Sequence, residues 1–329
     1  MRAPAFWWRE PGAAAALLRP ASALYGAIAA SRLDGQGARA ARPVICVGNP
    51  TLGGAGKTPT AIALSGLLAE MGEEPVFLTR GYGGRVTGPH VVDAARDTSA
   101  EVGDEPLLLA RAAPTVVARD RPAGAALAAT LGSVVVMDDG FQNPSLSKDL
   151  SLLVIDAAVG LGNGLVFPAG PLRAPLKPQL ARSGALVLIG EGRAGDALAA
   201  EAGLPVLRAR LVPDARALDG LGDLLAFAGI GRPQKFADTL QSLGRPAKRF
   251  AAFPDHHRYS AADAARLLDR AAAERLALVT TEKDLVRLRG DPALARLACA
   301  CRALPVRLVF EEVETLRGLL QDAVNRRRS

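Results

Sequence analysis

From Pro43 onward, short apolar runs alternate with stretches that have helical spacing. The apolar runs lack a strict alternation of apolar and polar positions, which is typical of strands covered on both faces. The predicted strands of this first series span residues 44–47, 76–79, 115–118, 134–137, 152–155 and 185–189. Helical spacing lies between them, for example over residues 58–71 and 104–112. This alternation predicts an α/β fold, in which a mainly parallel sheet carries helices on both faces.

A second strand–helix series begins near Leu224. Its predicted elements are a strand at 225–230, a turn at 231–233, helices at 234–243 and 261–273, and strands at 276–280 and 306–310. The change from one series to the next falls within residues 213–223. We therefore expect a larger α/β domain over residues 41–220 and a second, smaller α/β domain over residues 221–329.

We expect residues 1–40 to form a helical segment in front of these domains. Trp7 and Trp8 stand next to an arginine, an arrangement that suits a membrane interface. The alternative is a helix that packs on its own domain, with both tryptophans in the core. Arg19 and Pro20 interrupt the apolar stretch, so we expect neither a secretory signal nor an ordinary membrane-spanning helix.

Composition narrows the class of protein. With 49% hydrophobic and 22% charged residues among 329, the chain resembles an ordinary globular protein and not a disordered one. Three cysteines are too few for a disulfide framework and lack zinc-ligand spacing, which indicates a reducing compartment. The net charge of +7 leaves nucleic acid, acidic lipid and phosphorylated small molecules open as partners. The alternative explanation of this positive charge is a bias in genome composition that favours arginine.

The strongest local motif is a glycine-rich loop between a predicted strand and a predicted helix. It follows the phosphate-binding loop pattern except at the first glycine, where Thr51 stands. Glycines let backbone N–H groups surround phosphate oxygens, and the next helix adds a positive N-terminus. Lys57 is expected to reach the β- and γ-phosphates, and the Thr58 hydroxyl to hold Mg²⁺. The predicted nucleotide-binding residues are Thr51, Gly53, Gly54, Ala55, Gly56, Lys57 and Thr58.

A carboxylate pair directly follows the apolar run 134–137. Asp138 and Asp139 are candidates for holding Mg²⁺ or its water at the end of a strand next to the loop. Neither is preferred, because a shift of one residue reverses the direction of a strand side chain. An ordinary Asp-Gly turn is the alternative. Residues 281–284 lack the Asn-Lys-x-Asp order of guanine sites, so we expect an adenine nucleotide.

Seven motifs in a fixed order connect the chain with one family. The loop G-N-P-T-L-G-G-A-G-K-T-P (48–59) is followed by T-R-G-Y-G-G (79–84), G-D-E-P (103–106), D-D-G-F-Q (138–142), G-N-G…P-A-G-P-L-R (162–173), F-P-D-H-H (253–257) and T-T-E-K-D (280–284). With this set the chain resembles the tetraacyldisaccharide 4′-kinases, the lipid A 4′-kinases of Gram-negative bacteria. The resemblance covers nearly the whole chain, and that family also carries threonine at the position of Thr51.

The resemblance implies a reaction and a place for it. ATP, with Mg²⁺, donates its γ-phosphoryl group to the 4′-hydroxyl of a tetraacylated glucosamine disaccharide 1-phosphate. A P-loop NTPase-like domain and a smaller domain that closes over the active site are implied. So is a membrane-associated helix within residues 1–40, at the cytoplasmic face of the inner membrane, which favours interfacial contact for Trp7 and Trp8. We expect neither nucleic acid nor an obligate protein partner.

Roles follow from the same resemblance, motif by motif. Asp104 in G-D-E-P corresponds to a catalytic base that forms a dyad with a histidine of F-P-D-H-H. We favour His256 over His257, because it directly follows Asp255 as in the family. The predicted catalytic residues are Asp104, His256, Lys57, Asp138 and Asp139, and the predicted metal ligands are Thr58, Asp138 and Asp139. Arg80 and Tyr82, with Arg121 and Arg173, are candidates for binding the phosphorylated sugar.

One position departs from the family. The family often has G-P-L-R-E-P, whereas Ala174 replaces the glutamate here. Either that carboxylate is dispensable or Glu105 or Asp156 substitutes for it.

Three other functions stay open: a GTP-using switch or metal-insertion chaperone, a nucleic-acid-binding protein and a kinase of a soluble sugar. No guanine motif or Cys/His cluster supports the first, and scattered basic residues do not favour the second.

Overall fold

The computed structural model describes residues 4–328 of the chain. Within this range, thirteen strands form one sheet of nine strands and one of four. The strands are β1 (Val44–Gly48), β2 (Pro75–Thr79), β3 (His90–Val91), β4 (Thr115–Val117), β5 (Val134–Asp138), β6 (Leu150–Asp156), β7 (Ala185–Ile189), β8 (Val206–Pro213), β9 (Leu224–Ala228), β10 (Ala247–Ala252), β11 (Ala277–Thr281), β12 (Cys301–Leu304) and β13 (Val306–Phe310).

Twelve α-helices lie in the same described range. They are α1 (Ala13–Leu33), α2 (Lys57–Glu70), α3 (Ser99–Val102), α4 (Asp104–Leu109), α5 (Arg121–Ala128), α6 (Leu176–Leu180), α7 (Arg193–Glu201), α8 (Pro233–Ser242), α9 (Ala261–Glu274), α10 (Glu282–Leu288), α11 (Ala295–Ala300) and α12 (Val313–Arg328). The predicted α/β class, with a mainly parallel sheet and helices on both faces, is confirmed.

The nine-stranded sheet has the order β13-β8-β7-β6-β1-β5-β2-β4-β3. Its seven central strands are parallel, and the edge strands β13 and β3 pair antiparallel with their neighbours. Along β1, Ile45 and Val47 pack in the core beside α2 and α12, whereas Val44 and Cys46 pack in the core on the opposite face. Burial on both faces explains the continuous apolar runs. Because the central strands are parallel, the loops that follow them lie at one edge of the sheet, where ligands bind in such sheets.

The four-stranded sheet is parallel, with the order β10-β9-β11-β12. We call this sheet with its helices, residues 224–304, the second lobe. The first lobe comprises the nine-stranded sheet with its helices, residues 4–213 and 306–328. The predicted strand at 306–310 exists, but it pairs with β8 of the first lobe. The reason is burial: Leu308 and Phe310 complete the same core as β8 and α12. After the second lobe, the chain thus returns to the first lobe. The smaller unit therefore ends before the last residue of its predicted range, 221–329.

Three strands of four or more residues were not predicted from the sequence, namely β8, β10 and β12. Each has arginine or lysine among its apolar residues and is only partly buried. They therefore lack the continuous apolar run by which the other parallel strands are visible in the sequence.

The helix α1 presents two different faces. Ser22 and Gly26 are buried against the first lobe, and the Ser22 hydroxyl donates to the Val166 carbonyl at 2.6 Å. Leu17 and Leu24 are seven residues apart, on the opposite face, and are 83% and 67% exposed. By length and composition alone, α1 is apolar enough to cross a membrane, a test that a core helix of a soluble protein or a signal sequence also passes. The expectation that this segment is not an ordinary membrane-spanning helix stays a prediction.

The two tryptophans before α1 differ in their surroundings. Trp7 is buried, its Nε1 donates to the Pro168 carbonyl at 3.0 Å, and its ring packs edge-on against Phe167. Trp8 is partly exposed. For Trp7, the alternative of packing on its own domain therefore holds in place of interfacial contact.

Candidate active site

The glycine-rich loop connects β1 with α2 at the carboxyl edge of the first sheet. Gly56 has a φ of 90°, and a Cβ atom there would lie 2.5 Å from Cδ1 of Ile189, so only glycine fits. Asn49 shapes the loop from inside, because its Nδ2 donates to the Thr51 carbonyl at 2.6 Å and to the Gly53 carbonyl at 3.2 Å. The N-terminus of α2 follows at once, so its first-turn amides are available to an anion.

The two aspartates after β5 face different partners. Asp138 is buried, its Oδ2 accepts from the Thr58 hydroxyl at 3.0 Å, and its Oδ1 has no hydrogen-bond partner. Asp139 turns away with a φ of 55° and lies 3.6 Å from the Lys57 ammonium. Arg173 donates to Asp139 at 2.9 Å and, through Nε, to the Thr51 carbonyl at 3.0 Å. The sequence left open which aspartate is nearer the metal, and the structure puts Asp138 beside Thr58.

The two carboxylates also differ in their acidity. Burial, reinforced by the charge of Glu105, raises the pKa of Asp138 to about 7. Burial would also raise the pKa of Asp139, but the charges of Lys57 and Arg173 outweigh this effect and lower the pKa of that carboxyl. A cation beside Asp138 would therefore find an unpaired oxygen whose charge is poorly compensated.

Asp104 and His256 meet across the two lobes. Asp104 begins α4, is 4% exposed, and its Oδ2 lies 3.2 Å from Nδ1 of His256. His256 is held in the left-handed region, with a φ of 53°, and its backbone N–H donates to the Gly229 carbonyl. Such strained non-glycine residues cluster at functional sites. The ring of Tyr82 packs edge-on against His256, with centroids 5.2 Å apart.

Sequence reasoning did not identify Arg287, which completes this contact. Its Nε donates to Asp104 Oδ2 at 2.9 Å, its Nη2 contacts the same oxygen, and its Nη1 donates to the Gly229 carbonyl at 2.6 Å. Asp284 accepts from the same guanidinium at 2.9 Å and from the Tyr259 hydroxyl at 2.9 Å. The available signal was the T-T-E-K-D motif, which lies just before Arg287 on α10.

Charge around the pair sets its protonation. Burial would raise the pKa of Asp104, but the hydrogen bond with His256 and the charges of Arg287 and Lys283 hold it well below its usual range. The hydrogen bond to Asp104 in turn raises the pKa of His256 above its ordinary value of 6.5. Asp104 is therefore held in its carboxylate form, and His256 is the group of the pair that carries the proton.

A cavity of about 310 Å³ opens beside this pair, between the lobes. Both Asp104 and His256 line it, together with Tyr82, Arg258 and Arg289. Its charged lining is mostly basic, which suits an anionic ligand.

The predicted substrate-binding residues lie in different settings. Arg80 and Tyr82 are exposed in the turn after β2, and Tyr82 reaches the cavity. Arg173 is engaged with Asp139 and the loop. Arg121 is 2% exposed and its Nη1 contacts the Ala118 carbonyl. It is not among the residues that line the cavity, so its role in substrate binding stays a prediction.

Ala174, where the family often has glutamate, is fully buried in the core beneath the site. The two acids considered as substitutes are both paired with the second lobe. Glu105 accepts from Lys283 at 2.7 Å, and Asp156 contacts Arg232 and Lys235.

Comparison with known proteins identifies the family of the chain. The model of the family tetraacyldisaccharide-1-P 4′-kinase matches residues 14–325. A tetraacyldisaccharide 4′-kinase from Methylobacterium nodulans is 59% identical over 95% of this chain and 93% of its own length. One from Methylorubrum extorquens is 58% identical over 99% and 100% of the two chains.

Solved structures agree with the sequences. The crystal structure of the "apo" form of LpxK from Aquifex aeolicus in complex with ATP superposes with a TM-score of 0.72 at 28% identity. The alignment covers 94% of this chain and 99% of that one. The motifs, the fold and these relatives lead to one conclusion: the chain belongs to the tetraacyldisaccharide-1-P 4′-kinase family.

Proposed function

We propose that this chain transfers the γ-phosphoryl group of ATP to the 4′-hydroxyl of tetraacyldisaccharide 1-phosphate, in the biosynthesis of lipid A. Relatives at 58–59% identity carry the name of this activity, and the related Aquifex aeolicus structure is a complex with ATP. The observation that carries the proposal is the Asp104–His256 contact, made by two lobes beside a basic cavity.

The loop after β1 binds the phosphates of ATP in this proposal. The predicted loop residues, from Thr51 to Thr58, supply backbone amides and the N-terminus of α2. The Lys57 ammonium donates to Asn49 Oδ1 at 3.0 Å and can exchange this neutral acceptor for a phosphate oxygen. Asp139 and Arg173 hold the loop and Lys57 in position.

Thr58 and Asp138 would hold Mg²⁺. The unpartnered Oδ1 of Asp138 and the hydroxyl beside it fit an ion that takes one or two protein oxygens and completes its shell with phosphate and water. Among residues 4–327, no cluster of three or more His, Cys, Asp or Glu residues forms an all-protein metal site. Bound Mg²⁺ supplies charge neutralisation to the phosphoryl group.

His256 accepts the proton of the 4′-hydroxyl. Its Nδ1 faces Asp104, so a proton on Nδ1 leaves Nε2 as the basic nitrogen. Asp104 remains ionised, orients the ring and stabilises the protonated imidazole. The sequence-based expectation is a base at Asp104 that works as a dyad with a histidine. Within that dyad, the lowered pKa of the Asp104 carboxyl favours His256 as the group that takes up the proton.

The acyl chains of the substrate place the enzyme at a membrane surface, which we propose is the cytoplasmic face of the inner membrane. The exposed face of α1, with Leu17, Leu24 and Ile28, supplies apolar area for that contact. We expect L24E to weaken co-sedimentation with anionic vesicles. The control is L131E, at a similarly apolar exposed position away from α1.

The direct test is transfer of labelled γ-phosphate to tetraacyldisaccharide 1-phosphate in mixed detergent micelles. We expect product from the wild type, strong impairment in K57A and H256A, and no change in K248A, whose surface pair with Asp223 lies away from the cavity. Equal transfer to the deacylated sugar would contradict the lipid specificity. ATP hydrolysis without transfer would contradict the acceptor.

A further inference from the structure

A second ionic contact joins the lobes, away from Asp104. Asp156 ends β6 at the carboxyl edge of the first sheet and is 7% exposed. Its Oδ2 contacts the Arg232 guanidinium and the Lys235 ammonium, both of which come from the start of α8 in the second lobe. Its Oδ1 accepts from the Ala158 backbone N–H at 3.2 Å. The mechanism described above uses none of these three side chains.

The contact carries excess positive charge. Two cations share one carboxylate, and no other acid pairs with either of them among the ion pairs of the described residues. Burial, with the charge of Arg232 beside it, lowers the pKa of Lys235 to about 8. Burial also lowers the pKa of Arg232. A single aspartate therefore compensates these groups incompletely, and a more highly charged anion would satisfy them better.

The cations stand next to the phosphate-binding loop. A Cβ atom on Gly231 would lie 3.9 Å from the backbone nitrogen of Gly54, so this turn of the second lobe rests on the loop. Arg232 is the next residue, and Lys235 follows in the first turn of α8. An anion bound to the loop amides would therefore lie near the start of α8, where both side chains originate.

We propose that Arg232 and Lys235 bind nucleotide phosphate groups from the second lobe, and that Asp156 holds them in the nucleotide-free enzyme. The proposal rests on the proposed role of the loop in binding ATP. Nucleotide binding exchanges one carboxylate for a polyphosphate and thereby ties the second lobe to the loaded loop. Asp156 is then a competitor of the nucleotide for these cations.

The test compares dissociation constants for ATP, ADP and AMP, measured by calorimetry without acceptor. R232A and K235A are each expected to raise the dissociation constant for ATP about tenfold, since each loses charge-assisted hydrogen bonds. The loss should be smaller for ADP and negligible for AMP. D156N should strengthen ATP binding, because it releases the cations. K248A, which removes a surface lysine of the same lobe, should bind all three nucleotides like the wild type.

Opposite signs in R232A and D156N separate this proposal from a merely structural latch. A latch predicts that both substitutions weaken the lobe contact alike, with equal effects on the three nucleotides, and this result would overturn the proposal. So would ATP affinity that is unchanged in R232A and K235A. K57A tests the underlying assignment separately: loss of ATP binding in K57A, with none in R232A, would reject this inference alone.

Discussion

Two of the contacts between the lobes differ in composition. Between α4 and α10, Val286 of the second lobe is buried with Leu107 and Leu108 of the first. Two ion pairs, one to Asp104 and one to Glu105, flank this apolar patch. At the other contact, Asp156 meets two cations, and none of the buried apolar clusters among the described residues joins the lobes there.

This difference indicates that the two contacts have different roles in the cleft between the lobes. Apolar burial holds the lobes together independently of ionic conditions, whereas a carboxylate with two half-exposed cations exchanges partners easily. The α4–α10 contact therefore keeps the Asp104–His256 pair assembled, and the Asp156 contact is the side where an anion can enter. Four substitutions test this division.

The largest effect is expected for D104N. The amide keeps the shape of the side chain but removes the charge that orients His256 and stabilises its protonated form. General-base catalysis contributes about 10²–10⁴-fold, so kcat should fall by that order while the ATP dissociation constant stays unchanged. Steady-state kinetics and calorimetry check both. A loss of ATP binding would mean that Asp104 supports the nucleotide site instead.

Arg287 is expected to have the next largest effect, and a pH signature. His256 must be neutral to accept a proton, so kcat should rise as pH increases through its raised pKa. Arg287 lowers the pKa of His256 by its charge, so R287A should move this rise to higher pH and reduce kcat about 10–100-fold.

R287K is the matched control for this effect. It keeps the charge but loses the paired donation to Asp104, so its kcat should fall with a smaller displacement of the pH profile. An unshifted profile in R287A would show that Arg287 has only a structural role.

V286A tests the apolar side of the comparison. Removing two methyl groups from a buried position should lower the free energy of unfolding by about 1–2 kcal/mol. Chemical denaturation measures this, with V91A at a partly exposed strand position as the control. Equal effects of the two substitutions would contradict an apolar anchor at α4–α10.

R232A is expected to have the smallest effect on stability. Asp156 keeps Lys235 as a partner, and half-exposed ion pairs contribute about 1 kcal/mol or less. The unfolding midpoint should therefore stay close to that of the wild type. A loss as large as that of V286A would show that the two contacts do not differ in kind.

The nucleotide side of the site could be predicted because its parts are local. The loop before α2 and the aspartates after β5 follow apolar strands directly, and parallel strands bring their ends to one edge. Asp104 and His256 came only from a family resemblance, since nothing in their local sequence indicates that they meet. The burial of Arg121 could not be predicted, because a sequence does not show whether a charged side chain at the start of a helix points inward.

The sequence by itself determined the strand–helix alternation, the phosphate loop, the acidic pair and the family. These depend on periodicity and short motifs, which act over a few residues. Only the tertiary structure decided that β13 returns to the first lobe, that Arg287 completes the Asp104 pair and that Asp156 holds two cations. Each of these joins residues far apart in the chain, and burial and charge compensation in three dimensions select such partners.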